Sequence, residues 1–514
     1  MSLAIVYSRA CIGVQAPLVT IEVHMSRGKP GLTLVGLPET AVKEARDRVR
    51  SALLNAKFEY PFSRITINLA PADLPKEGGR YDLAIALGML AASGQISAEK
   101  LGRYEFLGEL ALTGELRGTQ GVIPAVIEAK KAKRKLIIAS ENAEQAGLLS
   151  DHETYFADSL LQIAAFLQDQ DDLPSAQLTN FPTQPQPQES RCLTDIIGQQ
   201  HAKRALTIAA AGQHNLLFLG PPGTGKTMLA SRLTALLPEM NDLEAIETAA
   251  VTSLVQTRLH SQRWRQRPFR TPHHSASLAA LVGGGSNPRP GEISLAHNGV
   301  LFLDELPEFE RKVLDALREP LESGEIIISR ANAKVRFPAK FQLIAAMNPS
   351  PTGHYQGIHN RTSIQQVMRY LNRLSGPFLD RFDLSIEVPL LPAGSLQQQG
   401  EQNANRGETS KQVRSKVVAV QQKQLARSGK INAHLSGKLL EQHCRLSGED
   451  SAFLENALLK LGLSVRAYHR ILKVSRTIAD LDGQENIERQ HLTEALGYRA
   501  MDRLLARLGN NSEY

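Results

Sequence analysis

Short, unbroken apolar runs recur through the middle of this chain: LLFLG at 216–220, VLFLD at 300–304, FQLIAAM at 341–347 and LSIEV at 384–388. Such runs, without alternation, suit strands covered on both faces. Stretches of helical period separate them, so residues 191–393 predict a parallel, doubly wound α/β sheet. Ahead of it, residues 1–168 mix the strand-like runs ITINLAP (65–71) and KLIIAS (135–140) with a helical segment, ETAVKEARDRVRSALLNA (39–56). That segment sets Ala41, Ala45, Val49 and Leu53 on one face, and the whole stretch predicts an α+β domain. Residues 411–514 carry helical patches such as HRILKVSRTIADL (469–481) and no strand signal, as expected of a small helical domain.

Two polar stretches interrupt the pattern. DQDDLPSAQLTNFPTQPQPQES, about 169–190, is rich in Pro and Gln and cannot hold a helix. GSLQQQGEQNANRGETS, 394–410, reads the same way, and both are taken as linkers. A chain of 514 residues with 42% hydrophobic and 22% charged content is that of a globular protein with several cores. Lys and Arg total 59 against 52 Asp and Glu, a net +7 that fits an anionic partner without requiring one. Cys11, Cys192 and Cys444 are far apart and odd in number, which argues against a disulfide framework or a zinc site and for a reducing compartment. No apolar run approaches the roughly 20 residues that span a bilayer, and the first residues lack a basic segment ahead of a long apolar core. A cytoplasmic protein with no membrane partner is expected.

The chemistry starts at GPPGTGKT, 220–227, which matches G-x-x-x-x-G-K-[ST] between a predicted strand and a predicted helix. Gly220, Pro221, Pro222, Gly223, Thr224 and Gly225 form a turn whose backbone N–H groups can point at phosphate oxygens. Lys226 would reach the β- and γ-phosphates of ATP, and Thr227 would ligate Mg²⁺. VLFLDE ends a buried strand with two carboxylates: Asp304 for the magnesium shell, Glu305 to polarise the attacking water. Asn348, after another buried run, is placed to orient that water. Arg381, in FLDRFDL, could reach a neighbouring subunit's γ-phosphate, and Arg466, in LSVRAYHR, is a second candidate for that phosphate.

In this order the motifs resemble the AAA+ ATPases: Walker A, Walker B, sensor 1, arginine finger, and a sensor 2 in a helical lid. The resemblance covers about 191–510 and implies an AAA+ αβα P-loop ATPase core. TDIIGQQHAKRAL (194–206) looks like the family's adenine-side loop, which implies that the main chain near Ile197 and Gly198 lies beside the base. The stretch from Thr227 to Asp304 is longer than a minimal core needs, and GEIIISRANAKVRFP (324–338) reads as a β-hairpin. Both look like the helix-2 insert and pre-sensor hairpin of the magnesium-chelatase and MCM-like clade, loops that project into the pore of ring motors. Arg258, Arg263, Arg265, Arg267 and Arg270 fall within a short stretch with Trp264 and Phe269 interleaved and no acid among them. Guanidinium groups can bind phosphates and aromatics can stack on bases. Arg330 and Lys334 at the hairpin end are similar candidates for DNA contact.

PADLPKEGGRYDLAIALGML, 71–90, tips a glycine-bearing loop into an apolar helix, with Arg80, Tyr81 and Asp82 at the junction and no Ser, Cys or Thr there. Residues 1–168 resemble the Lon-protease-like (ribosomal S5-type) domain. Laid on that family, Arg80 stands about where its serine would be and Ile123 about where its lysine would be. A serine needs an adjacent base, so peptide hydrolysis is not expected. A docking or oligomerising surface remains.

Across nearly the whole chain, these parts are similar to the ComM/YifB family of magnesium-chelatase-like AAA+ ATPases, with MNPSPTGHYQGIHN, LSGPFLDRFDLSIEVPLLP and SVRAYHRILKVSRTIADL as the closest segments. The resemblance implies a homo-oligomer, a hexameric ring, that uses ATP and Mg²⁺ to branch-migrate single-stranded or branched DNA during natural transformation. The chelatase-type core leaves a second reading open, a motor that remodels a protein partner without nucleic acid.

Overall fold

A computed structural model of the chain describes residues 2–36, 39–76, 78–149, 152–175, 192–258, 264–285, 288–330, 333–353, 362–392 and 407–510. The first unit is built on a seven-stranded sheet. Its strands are β1 (Ser2–Arg9), β2 (Leu18–Ser26), β3 (Gly31–Val35), β4 (Arg64–Ala70), β5 (Tyr104–Leu107), β6 (Lys135–Ala139) and β7 (Thr154–Ala157). They lie in the order β3-β4-β2-β1-β5-β6-β7. β2 is antiparallel to β1 and β4, and the remaining neighbours are parallel. β2 and β4 bury alternate residues, as strands with one covered face must, whereas β5 is buried throughout. The helix Asp82–Ala92 supplies the cover, with every residue buried but Ala91. Gly88 lets it approach: a Cβ there would stand 2.6 Å from Val23 Cγ2. The packed domain runs past the predicted boundary at 168. Leu173 is buried in the same core, and Pro174 O accepts from Phe156 N–H at 2.9 Å. One leucine inside the acidic, polar stretch is enough to fold it back.

The second unit carries the predicted parallel sheet. β8 (Leu216–Leu219), β9 (Phe269–Arg270), β10 (Val300–Leu303), β13 (Gln342–Met347) and β14 (Leu384–Glu387) lie in the order β9-β10-β13-β8-β14, all parallel. Alternate residues feed two cores. Phe218, Phe302, Ile344 and Ile386 face one, and Leu217, Leu301, Leu303 and Leu343 the other. The predicted hairpin, β11 (Glu325–Arg330) and β12 (Ala333–Pro338), stands outside the sheet. Ile326, Ile328, Val335 and Phe337 pin it to the second core.

Helices from Ser410–Ser428 to Arg489–Gly497 pack on the first core through Val413, Val417, Ile471 and Leu492. The last helix, Ala500–Asn510, does not stay with them. Ala500, Met501, Leu504 and Leu508 enter the second core, and Ser385 ties to both Tyr498 O (2.7 Å) and Met501 N–H (2.9 Å). The end of the expected helical domain therefore packs into a core of the five-stranded sheet.

The two units share a seam. Gly121 N–H donates to Ser253 O at 2.7 Å, Asn142 Nδ2 to Thr257 O at 3.1 Å and Gln145 Nε2 to Gln256 O at 3.0 Å. Ile123, fully buried, packs on Ala249 and Ala250.

Candidate nucleotide site

β8, β10 and β13 run side by side, Leu219 opposite Met347 and Leu303 two residues behind at Ala345. The residues that follow each strand therefore emerge together at the carboxyl edge of the sheet, where open parallel sheets hold ligands. After β8 the chain turns through Gly223 and Gly225, both left-handed at φ 79° and 85°. It then enters the helix Lys226–Leu236. Gly220 must be glycine, since a Cβ there would stand 2.3 Å from Val388 O.

Lys226 Nζ donates to Gly220 O and Pro221 O, each at 2.8 Å, and to Asn348 Oδ1 at 3.2 Å. Burial holds its pKa below the ordinary lysine value, with Asp304 and Glu305 acting in the opposite sense. Thr227 Oγ1 donates to Asp304 Oδ2 at 2.6 Å, and Glu305 N–H donates to Asp304 Oδ1 at 2.9 Å. A hydroxyl and a carboxylate already in contact are the oxygen donors a hydrated magnesium ion takes. Within the turn, Thr224 Oγ1 donates to Pro221 O at 3.0 Å. The loop read as lying beside adenine is at the same edge. Gly198, at φ 61°, lies against Leu391, and Gln199 Nε2 donates to Pro389 O at 2.8 Å, which brings Ile197 beside the chain that leaves β14.

Glu305 itself is left-handed at φ 52°, and its Oε2 lies 3.1 Å from His274 Nδ1. Sequence reading passed over His274. The available signal was its place just beyond β9, the strand beside β10, in the adjacent pair His273-His274, whose rings lie tilted to each other with centroids 4.1 Å apart.

Arg381 and Arg466 stand elsewhere. Arg381 precedes β14, and Asn215, at the start of β8, donates to its carbonyl at 2.9 Å. That is the amino edge of the sheet, a strand length of roughly 15 Å away from the phosphate loop. Arg381 is ion-paired with Glu322 and leaves Nε without a partner. Arg466 joins it through Asp380, at 3.8 Å, and Arg470 reaches the same carboxylate at 3.4 Å.

The arginine cluster does not present the free guanidinium row expected for DNA. Arg267 is buried, donating to Pro238 O and Asn298 O at 2.7 Å and to Glu244 Oε2 at 3.1 Å. Arg270 grips Glu292 through two bonds of 2.6 Å, Arg265 pairs with Asp242, and Arg258 lies 3.6 Å from Glu141. Their acids come from distant segments, which a local reading of the cluster does not see. Phe269 stacks on Phe302 rather than facing outward. Arg263 and the Arg330 side chain lie outside the described residues. Lys334 is exposed on the hairpin, opposite Ser329.

Three family profiles match the chain: "Magnesium chelatase, subunit ChlI" over 192–396, "Subunit ChlI of Mg-chelatase" over 21–142, and "Magnesium chelatase, subunit ChlI C-terminal" over 407–499. Among curated relatives, the competence protein ComM of Haemophilus influenzae is 72% identical over 99% of this chain and 100% of its own length. YifB of Salmonella typhimurium is 59% identical over 99% of each chain. The magnesium-chelatase 38 kDa subunit of Rhodobacter capsulatus is 26% identical over 59% of this chain and 86% of its own.

Proposed function

The chain belongs to the ComM/YifB family of magnesium-chelatase-like AAA+ proteins, and from that premise we propose that it is an ATP-driven ring motor, a cytoplasmic hexamer that branch-migrates single-stranded or branched DNA while incoming DNA is integrated. The observation that carries the reading is the division of its site between two edges of one sheet. Lys226, Thr227, Asp304, Glu305 and Asn348 gather at the carboxyl edge, and Arg381 and Arg466 at the other. One chain holds half of a hydrolytic site, and a ring of copies completes it by setting one copy's arginines against the next copy's phosphate loop.

Within a copy, the division of labour follows the chemistry. Lys226 binds phosphate oxygens once it leaves the loop carbonyls. Thr227 and Asp304 would hold Mg²⁺, which when bound neutralises phosphate charge. Glu305 takes the proton of the attacking water, and Asn348 orients that water. Arg381 offsets charge developing on the γ-phosphate. The first unit, with Arg80 and the buried Ile123 in place of a Ser/Lys pair, takes no peptidase role.

The name of the Haemophilus relative, a competence protein, supports DNA as the track. The measurement that decides is ATP hydrolysis by the purified chain with Mg²⁺, with and without a four-way junction or a three-strand exchange substrate, while heteroduplex extension is followed. DNA is expected to stimulate hydrolysis several-fold, and extension is expected to require a hydrolysable nucleotide. Absence of stimulation and of salt-sensitive DNA binding would overturn the DNA reading. It would favour the second, a chelatase-like motor on a protein partner, which the internal pairing of Arg265, Arg267 and Arg270 supports.

A further inference from the structure

Arginine keeps its charge in proteins, and a guanidinium taken out of water without a counter-ion is strongly disfavoured. Among the described residues, the buried arginines obey that rule with one exception. Arg9 holds Glu105 at 2.6 Å, Arg232 holds Asp195 at 3.4 Å, Arg476 holds Asp480 at 3.1 Å and Arg499 holds Asp502 at 2.8 Å. Arg80, 8% exposed, holds no carboxylate among the described residues, and its Nε and Nη2 have no hydrogen-bond partner among them.

Arg80 lines a cavity of about 440 Å³ at the seam between the two units, within the size range of small-molecule sites. Three further features of the wall bear on its occupant. Thr119 is also 8% exposed, and its hydroxyl has no partner among the described residues. Its loop is already held: Thr119 N–H donates to Asn142 Oδ1 at 2.9 Å, and Gly118 N–H donates to Glu141 Oε2 at 2.9 Å. Arg289, exposed and without an ion pair among the described residues, comes from the other unit. Two unpaired guanidinium groups and a spare hydroxyl, brought together from both sides of the seam, match a doubly charged oxyanion better than a single carboxylate. Glu109 also lines the wall, where it accepts rather than donates, which suits the hydroxyls of an organic phosphate.

We propose that this cavity binds a phosphate group, free or carried by a small ester, and that the bound ligand clamps the first unit to the ATPase unit. The site is separate from the nucleotide site, so its failure leaves the ATPase reading untouched.

The test uses the full chain carrying Lys226→Ala, which weakens phosphate binding at the nucleotide loop. Inorganic phosphate and ribose 5-phosphate are titrated calorimetrically at constant ionic strength. The fluorescence of Trp264, the chain's one tryptophan, is read in parallel, since it packs against the seam cluster of Ile123, Ala249 and Ala250. Saturable binding is expected, with Arg80→Met and Arg289→Gln each weakening it by about tenfold or more. Tighter binding of ribose 5-phosphate identifies an organic phosphate, and equal binding identifies free phosphate. Both outcomes support the site. Arg289 is exposed, so its replacement keeps the test valid if Arg80→Met fails to fold. No saturable binding, or binding indifferent to both substitutions, overturns the proposal.

Discussion

Glu305 occupies a left-handed backbone position at the end of β10, an arrangement that costs a non-glycine residue on the order of 1 kcal/mol. The strain turns its carboxylate out of the strand and toward His274. An imidazole nitrogen 3.1 Å from a carboxylate oxygen limits the orientations the carboxylate can take, which makes His274 a positioning residue for the proposed hydrolytic base. His274→Ala is expected to lower kcat for ATP by about tenfold with KM little changed, and His274→Asn, which keeps an N–H donor, to restore most of it. Glu305→Gln sets the floor in the same steady-state assay. Equal losses in the alanine and asparagine variants would leave His274 a packing residue. Two cysteines differ for equally local reasons. Burial alone would raise the Cys192 thiol, but hydrogen bonds from Thr194 and Ser410 outweigh it and bring the pKa down to about 7, whereas burial pushes Cys444 up to about 12. At pH 8 iodoacetamide should therefore modify Cys192 first, with a rate that falls as pH drops below 7. Peptide mapping of the alkylated protein checks the order.

At the scale of elements, the pre-sensor hairpin links the two units. The turn after β1 rests on β12, where Gly13, at φ 58°, would place a Cβ 2.4 Å from Val335 Cγ1. Gly13→Ala combines left-handed strain with a clash that the buried Val335 cannot relieve by moving into the core. A loss of about 2–4 kcal/mol is expected, read by thermal or denaturant unfolding. Adding Val335→Ala removes the clashing methyl and should recover part of the loss, whereas independent sites would only add their costs. The strands themselves were legible in advance, because continuous apolar runs report burial on both faces directly. The helical C-terminus was half legible: its period announced helices, but period does not say which core an apolar face joins, and Ala500–Asn510 joins a core of the five-stranded sheet.

For the whole molecule, the decisive fact is that Arg381 cannot serve the phosphate loop of its own chain. Arg381→Ala should abolish turnover while nucleotide still binds, and Lys226→Ala should be inactive as well. Mixing the two variants should restore a fraction of wild-type hydrolysis, since a chain with an intact loop can then neighbour a chain with an intact Arg381. An inactive mixture, under conditions where subunits exchange, would place the arginine outside the site.

What the sequence alone determined is the chemistry that rides on contiguous residues. GPPGTGKT, VLFLDE and the run ending in Asn348 each join a buried strand to a polar turn, and parallel register is enough to gather them at one edge. What only the tertiary structure decided is everything that depends on partners distant in the chain. The acids that pair Arg265, Arg267 and Arg270, the missing acid beside Arg80 and the edge on which Arg381 stands are of this kind. The reason is physical: a motif states which groups are present, but whether a charge is free, paired or buried depends on a surrounding field assembled by folding.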